Sequence, residues 1–123
     1  MVSCTLRIHP SVLFSYGLNH VELIIRSENH SEKIYWVEAE ISVPEKLSLT
    51  PENNLTKGRV RIGILQEKEF VEKSVKVFAN VYTNPQIYRC NATLFFYDKN
   101  GVIEKRLEKS VDVRCELKKA SVI

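Results

Sequence analysis

The stretch Tyr88–Cys115, YRCNATLFFYDKNGVIEKRLEKSVDVRC, decides the fold. Tyr88, Cys90, Ala92, Leu94 and Phe96 hold every second position before a turn signal, Asp98-Lys99-Asn100-Gly101. Beyond it, Ile103, Leu107, Val111, Val113, Cys115 and Leu117 share one parity. A period of two places alternate side chains on one face of a strand, so both arms read as half-buried strands. Asn100-Gly101 suits a two-residue type I′ turn, whose central residues both take positive φ. Such a turn sets Lys99 opposite Val102, which brings Leu94 to Leu107, Cys90 to Val111 and Tyr88 to Val113. All three of these inner pairs are apolar and share one face, as register requires when that face is buried.

The alternation continues toward the N-terminus. Strands are predicted over residues 2–8 (Val2, Cys4, Leu6 and Ile8 inward), 20–27 (Val21, Leu23, Ile25) and 34–43 (Tyr35, Val37, Ala39, Ile41, Val43). Further strands follow over 59–65 (Val60, Ile62, Ile64), 70–82 (Val75, Val77, Ala79, Val81), 87–98 and 102–117. Residues 11–19 read as irregular or as a short edge piece. His9-Pro10, Ser27–Ser31, Pro44, Thr50–Gly58, Gln66–Glu69 and Asn84-Pro85 punctuate the series. Seven to eight short strands and no helix of useful length predict an all-β protein, an antiparallel β-sandwich, with a barrel as the alternative. The segments 27–33, 50–58 and 83–86 have the character of crossings between two sheets.

The chain has 123 residues, the size of one domain, and the expectation is a single domain over residues 1–123. With 44% hydrophobic and 27% charged residues it has the composition of a folded soluble protein, which excludes a disordered tail, a collagen-like chain and a two-domain enzyme. The net charge is +3, from 18 Lys and Arg against 15 Asp and Glu, with the signs mixed along the chain. A nucleic-acid binder concentrates a larger excess on one stripe, so that partner is disfavoured. All the acidic residues except Asp98 and Asp112 are glutamates, and Glu and Lys abundance is the drift seen in hyperthermophile proteins. No stretch approaches the ~20 apolar residues of a membrane helix, so no membrane insertion is expected. The first residues also lack the apolar core of a signal peptide. A cytoplasmic location follows if Met1 is the native start, and a cell-surface one if the segment is excised from a longer exported chain.

Val43-Pro44-Glu45-Lys46-Leu47-Ser48-Leu49-Thr50-Pro51-Glu52 is followed by Ile62-Gly63-Ile64-Leu65, a Val-rich strand, Ile87-Tyr88 and the aromatic run into Asp98-Lys99-Asn100-Gly101. Over about residues 20–115 this order resembles the immunoglobulin-like sandwich domains of archaeal cell-surface proteins of the CARDB and NEW3 types. The resemblance implies an immunoglobulin-like β-sandwich and the role of a non-catalytic spacer, adhesion module or accessory domain. Glu67-Lys68-Glu69 stands where members of those families usually carry a Pro-Gly turn. Tyr88-Arg89-Cys90 also resembles the Tyr-x-Cys entry to the sixth strand of immunoglobulin domains, which implies a tyrosine corner at Tyr88. The second strand offers no cysteine to pair with Cys90, and alternation points Trp36 away from the core.

Catalytic and metal chemistry finds little to stand on. Cys4, Cys90 and Cys115 all fall on inward faces, where a free thiol behaves as a small hydrophobe. Cys90 and Cys115 are out of register with one another, while Cys4 can meet Cys115 only if the first and last strands are neighbours. No Cys-x₂₋₄-Cys spacing exists for zinc. His20 and His30 bracket one strand and stand roughly 30 Å apart, so they cannot share a metal. Glu38 and Glu40 share an outward face about 7 Å apart, a spacing compatible with a glycosidase pair if His20 converges on them. The ordinary reading is a solvated face, with these carboxylates paired to Arg89 or Arg114. Asp98-Lys99-Asn100-Gly101 lacks the later Glu of a calcium loop. With only Gly17, Gly58, Gly63 and Gly101, no glycine-rich phosphate loop is present.

Two surface features remain. Trp36, Phe78, Tyr82, Phe95 and Tyr97 fall on outward parity, and Trp36, Phe95 and Tyr97 form one candidate interaction patch if their strands are neighbours. Lys57, Arg59 and Arg61 alternate onto one face as a candidate basic stripe, the kind of charge that also guards an edge strand. Asn29-His30-Ser31, Asn54-Leu55-Thr56 and Asn91-Ala92-Thr93 match the glycosylation sequon, two read as loops and one as an outward strand position. The expectation is a non-catalytic β-sandwich that works by contact with a protein partner or a second copy, without cofactor or metal. A carbohydrate- or ligand-binding sandwich is the alternative, ahead of weak nucleic-acid binding or a hydrolase.

Overall fold

The computed structural model describes residues 1–118. Eight strands form: β1 (Val2–His9), β2 (Val12–Phe14), β3 (Asn19–Asn29), β4 (Tyr35–Ser42), β5 (Lys57–Leu65), β6 (Phe70–Ala79), β7 (Gln86–Tyr97) and β8 (Ile103–Glu116). They assemble as a three-stranded sheet, β1-β3-β6, packed on a five-stranded sheet, β2-β8-β7-β4-β5. Every pairing is antiparallel except β2 with β8. The sandwich thus follows from the period-two pattern, since each strand has one apolar face to bury. Val37, Val77, Leu94 and Val113, one from each of four strands, are all fully buried in one core.

At the entry to β7 the Tyr88 hydroxyl lies 2.8 Å from both the carbonyl oxygen and the Oδ1 of Asn84. This is a tyrosine corner, which satisfies a buried phenol while tying down the β6–β7 connection. Residues 11–19 contain β2, which adds to the edge of β8 through Val12–Arg114, Leu13–Cys115 and Phe14–Glu116.

The β7–β8 hairpin keeps the expected pairs but reaches them by a different turn. Gly101 has φ +77° while Asn100 is not in the positive-φ region, so the two-residue type I′ turn is not formed. Asp98 N–H donates to the Val102 carbonyl, Gly101 N–H donates to the Asp98 carbonyl, and the Asp98 carboxylate accepts from Asn100 N–H and Val102 N–H. The result is a three-residue loop with its left-handed residue at glycine. Tyr97 therefore pairs with Ile103, Phe96 pairs with Lys105, and Glu104 is left as a bulge that restores Leu94–Leu107, Cys90–Val111 and Tyr88–Val113.

That bulge overturns the inward reading of Ile103, which is 50% exposed on the outer face. A second bulge does the same on β5: Val37 pairs with Gly63 but Glu38 with Arg61, leaving Ile62 extra. Gly63 takes φ +132°, and Ile64 turns outward, 52% exposed, while Leu65 is buried. Val81 and Leu117 are also exposed rather than inward. β6 ends at Ala79 because Asn80–Thr83 is a tight turn, with Thr83 N–H donating to the Asn80 carbonyl and Thr83 Oγ1 to the Lys46 carbonyl. Leu117 lies beyond the last paired residue, Glu116.

Cys4, Cys90 and Cys115 are buried free thiols. Burial pushes all three up; at Cys90, where Asp112 adds to the effect, the value reaches about 12, while Lys109 opposes it at Cys4. A thiol reagent at mildly alkaline pH should therefore label these cysteines only after denaturation. Labelling of the native protein at the unfolded rate would contradict their burial.

On the outer surface of the three-stranded sheet Glu72 pairs with Arg7 (3.0 Å) and Arg26 (3.3 Å), and Arg26 lies 3.6 Å over the Phe70 ring centre. The Arg7 hydrogen bond leads in holding the Glu72 carboxyl below its ordinary value, with Arg26 adding to it. A depressed folded-state value stabilises the fold above the unfolded-state value and is lost as pH falls through the folded one. The stability gap between the parent and Glu72→Gln should be present at neutral pH and close on acidification. A gap independent of pH, read from urea melts, would contradict the pairing.

Candidate functional site

The patch and the stripe inferred separately from the sequence lie on one surface, the outer face of β5-β4-β7-β8. Their strands are neighbours: Trp36 pairs with Ile64 on one side and Tyr97 on the other, and Tyr97 pairs with Ile103. Ile64, Trp36, Tyr97 and Ile103 thus form one apolar row across four strands. The next row reads Arg61, Glu38, Phe95, Arg106, and the one after it Arg59, Glu40, Thr93, Glu108. Ile64, Ile103 and Arg106 were not among the expected site residues. The lone Gly63 inside an alternating strand was a legible sign of a bulge. The Glu104 bulge had no such sign.

The cations lie over the rings. Arg59 sits 4.5 Å over the Phe95 ring centre, donates to the Tyr97 hydroxyl at 2.9 Å and pairs with Glu38 at 3.2 Å. Trp36 Nε1 donates to the other oxygen of Glu38, at 2.9 Å. Arg61 lies 5.8 Å over Trp36, and Arg106 5.8 Å over Phe95. Exposed cation–π contacts are worth about 0.5–1 kcal/mol each, enough to hold an arginine in place against a ring. Trp36, Phe95 and Tyr97 are consequently half-buried although they face outward. The guanidinium groups of Arg59, Arg61 and Arg106 thus lie beside the rings of this face.

Other expected groupings do not form. Glu38 and Glu40 lie along the outer face of β4, whereas His20 is on the other sheet, 5.3 Å from the Phe78 ring, so the three do not converge. Glu38 pairs with Arg59, while Arg89 pairs with Asp112 and Arg114 approaches Glu116, so the expected pairing of the β4 carboxylates with Arg89 or Arg114 is replaced. Phe78 is half-buried on that other sheet and Tyr82 is exposed at a turn, both away from the row. Among the described residues no group of three His, Cys, Asp or Glu could hold a metal ion. A crevice of about 420 Å³ at the β7–β8 turn is lined by Glu32, Lys33, Ile34, Asp98, Lys99, Asn100 and Glu104, with Lys33 and Glu104 paired at 2.7 Å.

Of the three sequons, Asn54 and Asn91 are exposed and Asn29 is buried at the end of β3, not in a loop. Asn29 Nδ2 donates to the carbonyls of Lys33 (2.6 Å) and Gln66 (3.1 Å), and its Oδ1 accepts from Ser31. That amide is structural.

Two sheets with these pairings, closed by a tyrosine corner, define the chain as an immunoglobulin-like β-sandwich. Scans against protein-family models and curated protein sequences find no match. Among solved structures the chain is similar to the major pilin subunit BcpA of Bacillus cereus, with TM-score 0.61 and 11% identity over 94% of this chain and 40% of that one. It is similar to the CARDB domain of the PF1109 protein from Pyrococcus furiosus, solved in complex with di-metal ions, with TM-score 0.52 and 18% identity over 96% and 94%. AvmM, which catalyzes macrocyclization in alchivemycin A biosynthesis, gives TM-score 0.58 and 11% identity over 99% and 92%. At these identities the likeness is one of fold.

The bulge that turns Ile64 outward depends on Gly63, since φ +132° strains any side chain even where a Cβ meets nothing within 4 Å. Gly63→Ala should cost ~1–3 kcal/mol in a denaturant melt. An unchanged midpoint would mean that β5 does not need the bulge.

Proposed function

We propose that residues 1–123 act as one non-catalytic interaction domain whose contact surface is the outer face of β5-β4-β7-β8. The observation that carries this reading is the fusion of the aromatic patch, Trp36, Phe95 and Tyr97, with the stripe Lys57, Arg59 and Arg61 into one ordered surface. Aromatic and arginine side chains are the groups that dominate binding energy at protein interfaces. Glu38, the best-placed carboxylate, is engaged by Arg59 and Trp36, which supports a positioning role over acid–base work. Kinship of fold with a pilin subunit and a CARDB domain supports a structural or accessory module, and an extracellular setting fits the exposed Asn54 sequon. One fold neighbour, AvmM, is an enzyme, so the argument against catalysis rests on the site and not on the fold. Salt-dependent nucleic-acid binding is disfavoured because Glu38 and Glu40 interrupt the cations of this face.

Replacing Trp36 and Tyr97 together by Ser should cost about 2–4 kcal/mol without unfolding the protein, since each half-buried ring gives up roughly half of a buried aromatic's contribution and the Trp36–Glu38 and Arg59–Tyr97 hydrogen bonds are lost. The same variant should lose the adducts formed by a photo-crosslinking amino acid placed at Asn91 in the native cell. Unfolding of the double variant, or an absence of adducts in the parent, would overturn the proposal.

A further inference from the structure

The outer face carries a charge gradient across its strands. On β5 the outward charges are Lys57, Arg59 and Arg61, with no carboxylate among them. On β8, at the opposite side, Glu108, Asp112 and Glu116 outnumber Arg106 and Arg114. Between the two sides runs the apolar row Ile64, Trp36, Tyr97 and Ile103. The row is itself near-symmetric: an isoleucine at each end and two aromatic rings between.

We infer that this face is self-complementary and that its occupant is a second copy of the chain, packed face to face about a two-fold axis parallel to the strands. The inference rests on the reading of this face as the contact surface and names its partner. Rotation about that axis keeps each row at its own height and exchanges its two ends. Trp36 of one copy then lies over Tyr97 of the other, and Ile64 over Ile103. Arg59 lies over Glu108, and Lys57 near Asp112, each interaction occurring twice because the contact is isologous. Arg61 comes over Arg106; Glu108, 2.9 Å from Arg106 in its own strand, is shared between that arginine and Arg59 of the other copy, as Asp112 is shared between Arg89, at 3.1 Å, and Lys57. Sheets packed in this way interdigitate their side chains at a separation of about 10 Å. Four strands about 4.8 Å apart and the length of β4 give a face of roughly 20 Å by 30 Å, or about 600 Å² per copy. Two such faces bury roughly 1,200 Å², the lower bound for a specific pair. The expected dimer is therefore reversible and weakened by salt.

The edges of the sandwich are poorer candidates. β5 has a bulge and alternating cations, while β8, which β2 covers only over Arg114–Glu116, has the Glu104 bulge and Lys105 and Lys109 on its inward parity, devices that discourage strand addition. Face-to-face packing leaves those devices intact.

The test uses two charge-reversed variants of exposed residues: Lys57→Glu with Arg59→Glu, and Glu108→Lys with Asp112→Lys. Sedimentation equilibrium of the parent should show a concentration-dependent monomer–dimer equilibrium. Each variant alone should weaken self-association more than about tenfold, because like charges then face one another. Mixing the two should restore a dimer, now a heterodimer, since each carries the charge that the other needs. Circular dichroism checks that both are folded, and Ile103→Ser provides an uncharged disruption of the same contact. A parent that stays monomeric at every concentration, or variants that fail to complement on mixing, would overturn the inference. If the parent is monomeric while the Asn91 crosslinker captures a different protein, the second copy is excluded and the contact surface stands. If neither self-association nor adducts are found, both readings fall.

Discussion

Burial of one face of every strand between two sheets is the constraint on which the rest of this molecule depends. Val37, Ala39 and Ile41 on β4, Leu94 and Phe96 on β7, Val21, Leu23 and Ile25 on β3 and Val77 on β6 lose nearly all contact with solvent together. Each of these side chains except Ala39 contributes about 1.5–3 kcal/mol relative to remaining exposed, which offsets the entropy of ordering the strands. Because the period is two, that same burial commits the alternate residues to the outside. The outer face of the five-stranded sheet is a consequence of the core, and Trp36, Phe95 and Tyr97 are outside because Val37, Leu94 and Phe96 are inside.

Two bulges then modify what the core dictates. Each adds one residue to one strand, so every side chain beyond it changes face. At Ile62-Gly63 the change exposes Ile64 while allowing Leu65 to close the core beside Tyr35. At Glu104 it exposes Ile103 and leaves the Glu104 carboxylate free to meet Lys33. Both bulges act at the same height of the sandwich, on the two strands that flank β4 and β7, and so both lengthen the same apolar row. The proposed contact surface thereby includes Ile64 and Ile103, which strict alternation would have placed inside.

Most of the sandwich was legible from alternation alone: the strands, their inward faces, the long hairpin and its register. The core reading was sound wherever the ladder is regular. It failed at Ile64, Ile103, Val81 and Leu117, where a bulge or the end of pairing intervenes, because periodicity is blind to an inserted residue. The hairpin is instructive, since Asn100-Gly101 pointed to the wrong turn and yet to the right pairs. A three-residue loop offsets the register by one and the Glu104 bulge offsets it back. At the candidate site the two sets of residues were visible but their fusion was not. That required knowing that β4 lies between β5 and β7, an adjacency set by tertiary packing. Asn29 shows the reverse error, for its sequon reads as a modification signal while its amide holds the carbonyls of two turns.

The account is tested most directly by where the methyl groups of Ile64 and Ile103 point. A methyl-resolved nuclear Overhauser spectrum should connect Ile64 to the Trp36 indole and Ile103 to the Tyr97 ring, with neither isoleucine contacting Leu94 or Val37. Cross-peaks from Ile64 or Ile103 into that interior pair, with none to the outer rings, would contradict it.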